Sequence, residues 1–144
     1  AGGLAIAREL EKWTRRPIPN IQLHKNLGRW NYHGILNFIG RQSGGACVGN
    51  SSSGIKETPA FHCAAVNVGS RQDGRLRARN VIDAGYDENA LLRAVKRCIS
   101  DKAFLKTART CANPYGRGDA GRRIAQVLCR VPLDRRLITK EMTI

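Results

Sequence analysis

The sequence predicts an α/β fold: a parallel sheet with helices on both faces. Three observations carry that expectation. Short apolar segments at 46–48, 64–68 and 81–82 do not alternate with polar residues, as strands buried on both faces do not. Segments with helical spacing are interleaved with them. Polar, glycine-containing loops follow the first two strands, where the carboxyl ends of a parallel sheet place a ligand.

The elements follow in order. Residues 4–13 have Leu4, Ile6, Ala7, Leu10 and Trp13 roughly on one side, a helix that Pro17 and Pro19 end. Ile21–His24 is a short strand candidate. Tyr32, Ile35, Leu36 and Ile39 give helical spacing over 31–39. A loop, 40–45, leads to the strand at 46–48. The polar loop Gly49–Ser53 runs into a short helix to about Phe61, which Pro59 makes irregular. The strand at 64–68 and a basic, glycine-punctuated connection, 69–79, precede the extended segment Val81–Ile82. Asp87 caps a helix with apolar positions Leu91, Leu92, Val95, Cys98 and Ile99. A second helix covers about 101–111, and Asn113-Pro114-Tyr115-Gly116 is a turn. Asp119 caps a last helix with Ile124, Val127, Leu128 and Val131 on one face. The tail after Pro132 is polar and basic. The chain opens in a helix, without the first strands such a sheet needs, so the fold is expected to be incomplete at its N-terminus.

Composition narrows the function classes. The chain has 144 residues, 42% of them hydrophobic and 25% charged, which is a globular balance rather than a disordered one. No apolar run approaches the ~20 residues of a membrane span, so no membrane partner is expected. The net charge is +14, the usual flag for a nucleic-acid binder. The basic residues are scattered, however, and arginines outnumber lysines 18 to 7. The favoured reading is a solvated basic surface without nucleic-acid binding, and another is that some arginines hold a phosphorylated small ligand. Aromatic residues are only 6%, too few to interleave as base-stacking platforms. The five cysteines, an odd number without C-x-x-C spacing, are expected as thiols in a reducing cytoplasm. Cys98 and Cys129 fall on apolar helix sides and are expected in the core. His24, His33 and His62 show no metal-type pairing, so no metal and no cofactor is expected.

One segment carries chemistry. Val48 to Ile55 reads as strand, polar loop, helix start. Small residues at Gly49, Ser51, Ser52 and Gly54 let backbone N–H groups approach an anion, and serine hydroxyls add donors. The same serine-rich pattern also begins ordinary helices. Glu57, three residues past Gly54, suits two ribose hydroxyls, as acidic residues of dinucleotide sites do. A capping-box glutamate reads equally well from spacing alone. Arg71 and Arg75 follow the next strand and reach the same edge, or else lie in a solvated loop.

Four strings together resemble the C-terminal domain of the hydrolysing UDP-N-acetylglucosamine 2-epimerases. They are Gly49-Asn50-Ser51-Ser52-Ser53-Gly54-Ile55-Lys56-Glu57, Asn67-Val68-Gly69-Ser70-Arg71-Gln72-Asp73-Gly74-Arg75, Asn80-Val81-Ile82 and Asn113-Pro114-Tyr115-Gly116. The form of the first string is closer to the hydrolysing branch than to the non-hydrolysing one. The resemblance runs over about 1–131, read as a partial UDP-sugar-binding domain, with 132–144 as a tail.

The resemblance implies a Rossmann-like sheet, the C-terminal half of a glycosyltransferase-B-type fold. It implies a UDP-sugar substrate, a cytoplasmic location and a homo-oligomer at full length. Ser51 and Ser52 would bind the diphosphate, with Gly54 in the same loop. Glu57 would bind the ribose and Arg71 would complete the nucleotide site. Leu27 matches a position that contacts the uracil through its backbone. The implied reaction eliminates UDP to a glycal-like intermediate and hydrates it with inversion at C2, giving N-acetylmannosamine for sialic-acid-type sugars. The family's catalytic carboxylates and histidine match no residue here, so no catalytic residue is assigned and the chain alone is expected to be inactive. His62-Cys63-Ala64-Ala65 and Arg117-Gly118-Asp119 depart from the family pattern. Two alternatives remain: part of another nucleotide-sugar enzyme of the same fold, such as a glycosyltransferase, or a basic non-enzymatic binding module.

Overall fold

A computed structural model describes residues 3–42 and 44–139. Ser43 of the expected 40–45 loop and the end of the tail, 140–144, lie outside the described residues. The chain divides into two units at the Ile35–Leu36 step.

The first unit holds α1 (Gly3–Arg15) and the start of α2 (Gly28–Gln42). No residue of α1 is buried. Leu10 and Trp13 line a groove with Ile18, Ile21 and Leu23. Ile21–His24 is not a strand. A strand needs a neighbour's N–H and C=O groups, and here Ile21 N instead donates back to Ile18 O at 3.1 Å. Its apolar side chains turn to the groove rather than to a sheet face.

The second unit holds a parallel three-stranded sheet in the order β1 (Cys47–Gly49), β2 (Ala65–Val68), β3 (Val81–Ala84). Val66 pairs with Val48 on one side and Ile82 on the other. Because β2 is central, its first three residues are all buried, which explains the apolar run without alternation. Alternation along the strand divides the two faces. Ala64, Val66 and Ala84 pack with Ala94, Cys98, Phe104 and Ala108 of α4 (Glu88–Ser100) and α5 (Lys102–Thr110). The opposite face carries Cys47, whose Sγ would lie 4.0 Å from a Cβ on Gly54 of α3 (Ser53–Lys56). Helices therefore cover both faces, as the apolar strands demand.

The capping expectations divide. Asp87 accepts from Ala90 N at 2.7 Å and starts α4. Asp101 accepts from Ala103 N and Phe104 N and starts α5. The Phe104 N–H, with Arg97 beside it, lowers the Asp101 pKa below the usual carboxylate range. Asp119 precedes α6 (Ala120–Leu128) but makes no side-chain cap. The buried side of α4 is Ala94 and Cys98, with Leu91 and Val95 packed beside them; Leu92 and Ile99 are exposed. Proline splits the expected short helix: α3 ends at Lys56 and a 3-10 turn, Thr58–Phe61, follows with Pro59 in its first turn. The tail contains a short helix, α7 (Arg135–Ile138), capped by Asp134.

Cys129 is exposed, against the expectation of a core position. No residue of α6 is buried, and Ile124, Val127 and Leu128 are more than half exposed. Its apolar stripe is real, but it packs on no core among the described residues. Cys98 is fully buried, as expected. None of the five cysteines is in a disulfide. Among the described residues no helix is long and apolar enough to cross a membrane, and no cluster of His, Cys, Asp and Glu could hold a metal ion.

The second half of α2 is locked to the sheet unit through Gly40. Gly40 is buried, and a Cβ there would run into the carbonyl oxygen of Phe61. The Gly40→Ala variant is expected to lose about 2 kcal/mol or more through overpacking against backbone, read as a lower urea midpoint at unchanged slope. The buried thiols give a second expectation. Burial pushes Cys63 up to about 12, with Cys47 adding to it, and pushes Cys98 up to about 11. An unfolded thiol ionises near ~8.5. Above that pH the unfolded chain releases protons that the folded chain retains. Stability is then fully present below pH ~8.5 and falls as pH rises toward 11, by about 1.4 kcal/mol per pH unit for each thiol. Urea midpoints between pH 8 and 11 check this: the decline is expected to be shallower in Cys98→Ala than in the parent.

Candidate functional site

The three strands end at one edge, and the loops leaving them build the candidate site. From β1 the chain passes through Asn50, Ser51 and Ser52 into α3. Ser51 O accepts from Gly54 N at 3.2 Å, and Ser52 O accepts from Ile55 N and Lys56 N at 3.1 and 2.9 Å. Ser51 Oγ accepts from Ser53 N at 3.3 Å, which leaves its O–H to donate outward. Ser52 is the N-cap residue, yet its side chain makes no capping bond. Both hydroxyls are thus available to a ligand, and helix capping does not consume that of Ser52. Gly54 is not required by local packing, because a Cβ there meets nothing closer than the 4.0 Å contact with Cys47. Glu57 closes α3 as its C-cap and is half-buried, with its N–H bonded to Ser53 O.

From β2 the chain turns at Gly69, whose φ of +73° is the left-handed region. The Tyr86 ring stands where a Cβ on Gly69 would lie. Arg71 then reaches back to the first loop: its Nη1 donates to Asn50 O at 3.0 Å. A guanidinium has five N–H donors, and among the described residues Arg71 makes only this bond. Arg71 is otherwise exposed. Gln72 Nε2 donates to the same carbonyl at 2.7 Å, from a buried position.

Arg75, expected at this edge with Arg71, contributes its carbonyl instead, which accepts from Arg77 Nη1 at 2.8 Å. Arg77 organises the whole 69–79 connection. Its Nη2 donates to Gln72 O at 3.2 Å and its Nε to Asp83 Oδ1 at 2.8 Å. Asn67 Nδ2 donates to that same oxygen at 2.7 Å. Asn80 is fully buried and donates to Thr58 Oγ1 and Cys63 O at 2.9 and 2.7 Å. The Asn113–Gly116 turn joins both loops: Asn113 Nδ2 donates to Lys56 O at 3.4 Å and Tyr115 Oη to Leu76 O at 2.9 Å. Lys56 Nζ lies over the Tyr115 ring, 5.7 Å from its centroid.

Sequence reasoning missed Gln72, Arg77 and Asp83. No periodicity marks them, since each sits in a polar loop or at a strand end. The one available signal was the density of amides and arginines in the 67–80 stretch.

The structure brings Ser51, Ser52, Gly54, Glu57 and Arg71 into one unit around one edge. Leu27 belongs to the other unit, where it is half-buried just before α2, and Gly28 N donates to Asn26 Oδ1 at 2.7 Å. His24 Nε2 lies 3.3 Å from Gln22 Oε1, His33 tilts against Tyr32, and His62 adopts a left-handed backbone at the end of the 3-10 turn. The buried Cys63 and Cys98, with pKa values of about 12 and 11, are not nucleophiles at neutral pH. What the edge offers chemically is anion binding: hydroxyls, one fixed guanidinium and a carboxylate a turn further on.

A family model described as UDP-N-acetylglucosamine 2-epimerase matches residues 3–129. The chain is 32% identical over 139 residues to a UDP-N,N'-diacetylbacillosamine 2-epimerase (hydrolyzing) of Legionella pneumophila, covering 96% of this chain and 34% of that protein. It is 36% identical over 86 residues to a GDP/UDP-N,N'-diacetylbacillosamine 2-epimerase (hydrolyzing) of Campylobacter jejuni, 60% of this chain and 21% of that one. It is 38% identical over 73 residues to polysialic acid biosynthesis protein P7 of Escherichia coli, 51% of this chain and 18% of that protein. The chain spans about a third or less of the length of these relatives. With the family match running through both loops of the sheet edge and both units, the chain belongs to the UDP-N-acetylglucosamine 2-epimerase family.

Proposed function

We propose that this chain supplies the UDP-binding part of a hydrolysing UDP-N-acetylglucosamine 2-epimerase. The observation that carries the reading is the bond from Arg71 to Asn50 O, which holds a guanidinium against the serine loop. Arginine and serine O–H donors converging there suit a diphosphate, which accepts several charge-assisted bonds at once. Glu57 repels phosphate but accepts from ribose hydroxyls, so it fits the next moiety of a nucleotide. Leu27 is assigned to the uracil on the family resemblance alone.

In the reaction, C2 loses its proton and the C2–H electron pair becomes the C1=C2 double bond, while the bond between sugar C1 and the diphosphate oxygen breaks and UDP departs with that bond's electron pair. Water then adds to the glycal-like intermediate, so that UDP-N-acetylglucosamine and water give N-acetylmannosamine and UDP. Charge develops on the leaving diphosphate in the transition state. Ser51, Ser52 and Arg71 are donors to that charge, and this is how the domain would contribute to rate. The family's carboxylates and histidine match no residue here, so proton transfer at C2 is assigned to no group of this chain.

A second reading concerns the sugar. Two of the relatives are named for N,N'-diacetylbacillosamine, and one of them covers nearly the whole chain. Offering both UDP-sugars to the full-length enzyme and identifying the released sugar decides between them.

Two outcomes test the reading. In the full-length enzyme, Glu57→Ala and Arg71→Ala are each expected to weaken UDP binding by about tenfold or more. Unchanged UDP affinity and turnover in both variants would refute the site. The 144-residue chain alone is expected to release no UDP and no N-acetylmannosamine from UDP-N-acetylglucosamine above a heat-killed control. Release by the purified chain would show that it carries its own acid and base.

A further inference from the structure

We propose that Gln72 is a positioning residue of the diphosphate site, setting the serine loop against Arg71; the inference rests on the UDP reading above. Three observations converge on it. Gln72 is 3% exposed, although it sits in a loop whose neighbours on both sides are exposed. Its Nε2 makes a short bond, 2.7 Å, to the carbonyl of Asn50, the same oxygen that receives Arg71. Its own backbone carbonyl is held by Arg77 Nη2, and Arg77 is anchored to Asp83 on β3. The chain of bonds therefore runs from β3 through Arg77 and Gln72 to the loop after β1.

The side chain is a poor choice for stability alone. Its Oε1 is buried and accepts no hydrogen bond among the described residues, and a buried unsatisfied acceptor is costly. An apolar residue of the same length would remove that cost. What methionine cannot do is donate to Asn50. Without that bond the Asn50 carbonyl keeps only the exposed Arg71, and the guanidinium is then drawn to hold the loop rather than to meet a phosphate. Gln72 touches no ligand in this scheme; it acts by fixing where the loop's hydroxyls stand relative to Arg71.

A purely structural amide and a positioning amide predict opposite signs for stability and binding. The test measures melting temperature and UDP affinity by calorimetry on the full-length enzyme, in the parent, Gln72→Met, Arg77→Lys and Arg71→Ala. For Gln72→Met the melting temperature is expected to hold or rise while the UDP dissociation constant rises about tenfold. Arg77→Lys keeps the charge but loses the planar fork, and is expected to weaken UDP binding several-fold in the same direction. A Gln72→Met variant that binds UDP like the parent overturns the proposal while leaving the UDP reading intact, provided that Arg71→Ala binds weakly. A Gln72→Met variant that unfolds or melts lower marks Gln72 as a structural brace and also overturns it. A parent enzyme that binds no UDP overturns the site reading and this inference together.

Discussion

Parallel strands of three or four residues cannot by themselves fix the loops that leave them, and that constraint governs this structure. The ladder ends at Gly49, Val68 and Ala84, and every group of the candidate site lies beyond it. Buried side-chain amides take over where the ladder stops. Asn80 ties the start of β3 to the 3-10 turn and to Cys63. Asn67 and Arg77 share one Asp83 oxygen. Gln72 and Arg71 share the carbonyl of Asn50. Bonds of this kind contribute about 1 kcal/mol each when both partners are desolvated. The bonds of Gln72, Arg71 and Arg77 tie the two polar loops to each other and to β3.

The three amides also leave Asn67 Oδ1, Gln72 Oε1 and Asn80 Oδ1 buried and unsatisfied. Core packing does not ask for such residues. Asn67 and Gln72 lie toward the carboxyl ends of the strands, beside the candidate site, whereas Asn80 braces the opposite end of the sheet. Glycine is used with the same economy. Gly40 is demanded by the Phe61 backbone and Gly69 by a left-handed turn under Tyr86, whereas Gly54 is demanded by nothing inside the chain. A glycine without a packing reason among the described residues, in the first turn of α3, fits close approach of the backbone to the proposed nucleotide.

Much of this was legible in the residues and some was not. The apolar strands were readable because β2 is buried on both faces and had to be apolar at consecutive positions. The α4 start was readable because Asp87 pairs capping chemistry with helical spacing. Ile21–His24 was misread, because β propensity says nothing about whether a neighbouring strand exists. Cys129 was misread for a related reason: the stripe on α6 has core periodicity but no core to meet among the described residues, and periodicity reports a face without reporting its partner. In the site, Arg71 and the serine loop could be listed as candidates from position after a strand. That Arg71 reaches Asn50, while Arg75 offers its carbonyl to Arg77, depends on the folded path of the 69–79 connection and leaves no periodic trace.

The same path settles how the charge should be weighed. A net charge of +14 spread over an exposed surface acts through solvent, where interactions fade over a Debye length of about 8 Å at physiological salt. It raises encounter with any polyanion and selects none. Arg71 is different in kind. Its guanidinium is held at 3.0 Å from a loop carbonyl, so its remaining donors meet an anion at contact distance and in a fixed orientation, where salt screens least. Selection at this edge therefore comes from one placed arginine and the hydroxyls beside it. On the proposed reading, Glu57 one turn on would repel a continuous polyanion and accept from ribose hydroxyls, so that the edge would favour a diphosphate joined to a sugar over a run of phosphates. The scattered basic residues make the chain basic; the pairing of a donor cluster with a carboxylate acceptor is what makes the edge suit a nucleotide.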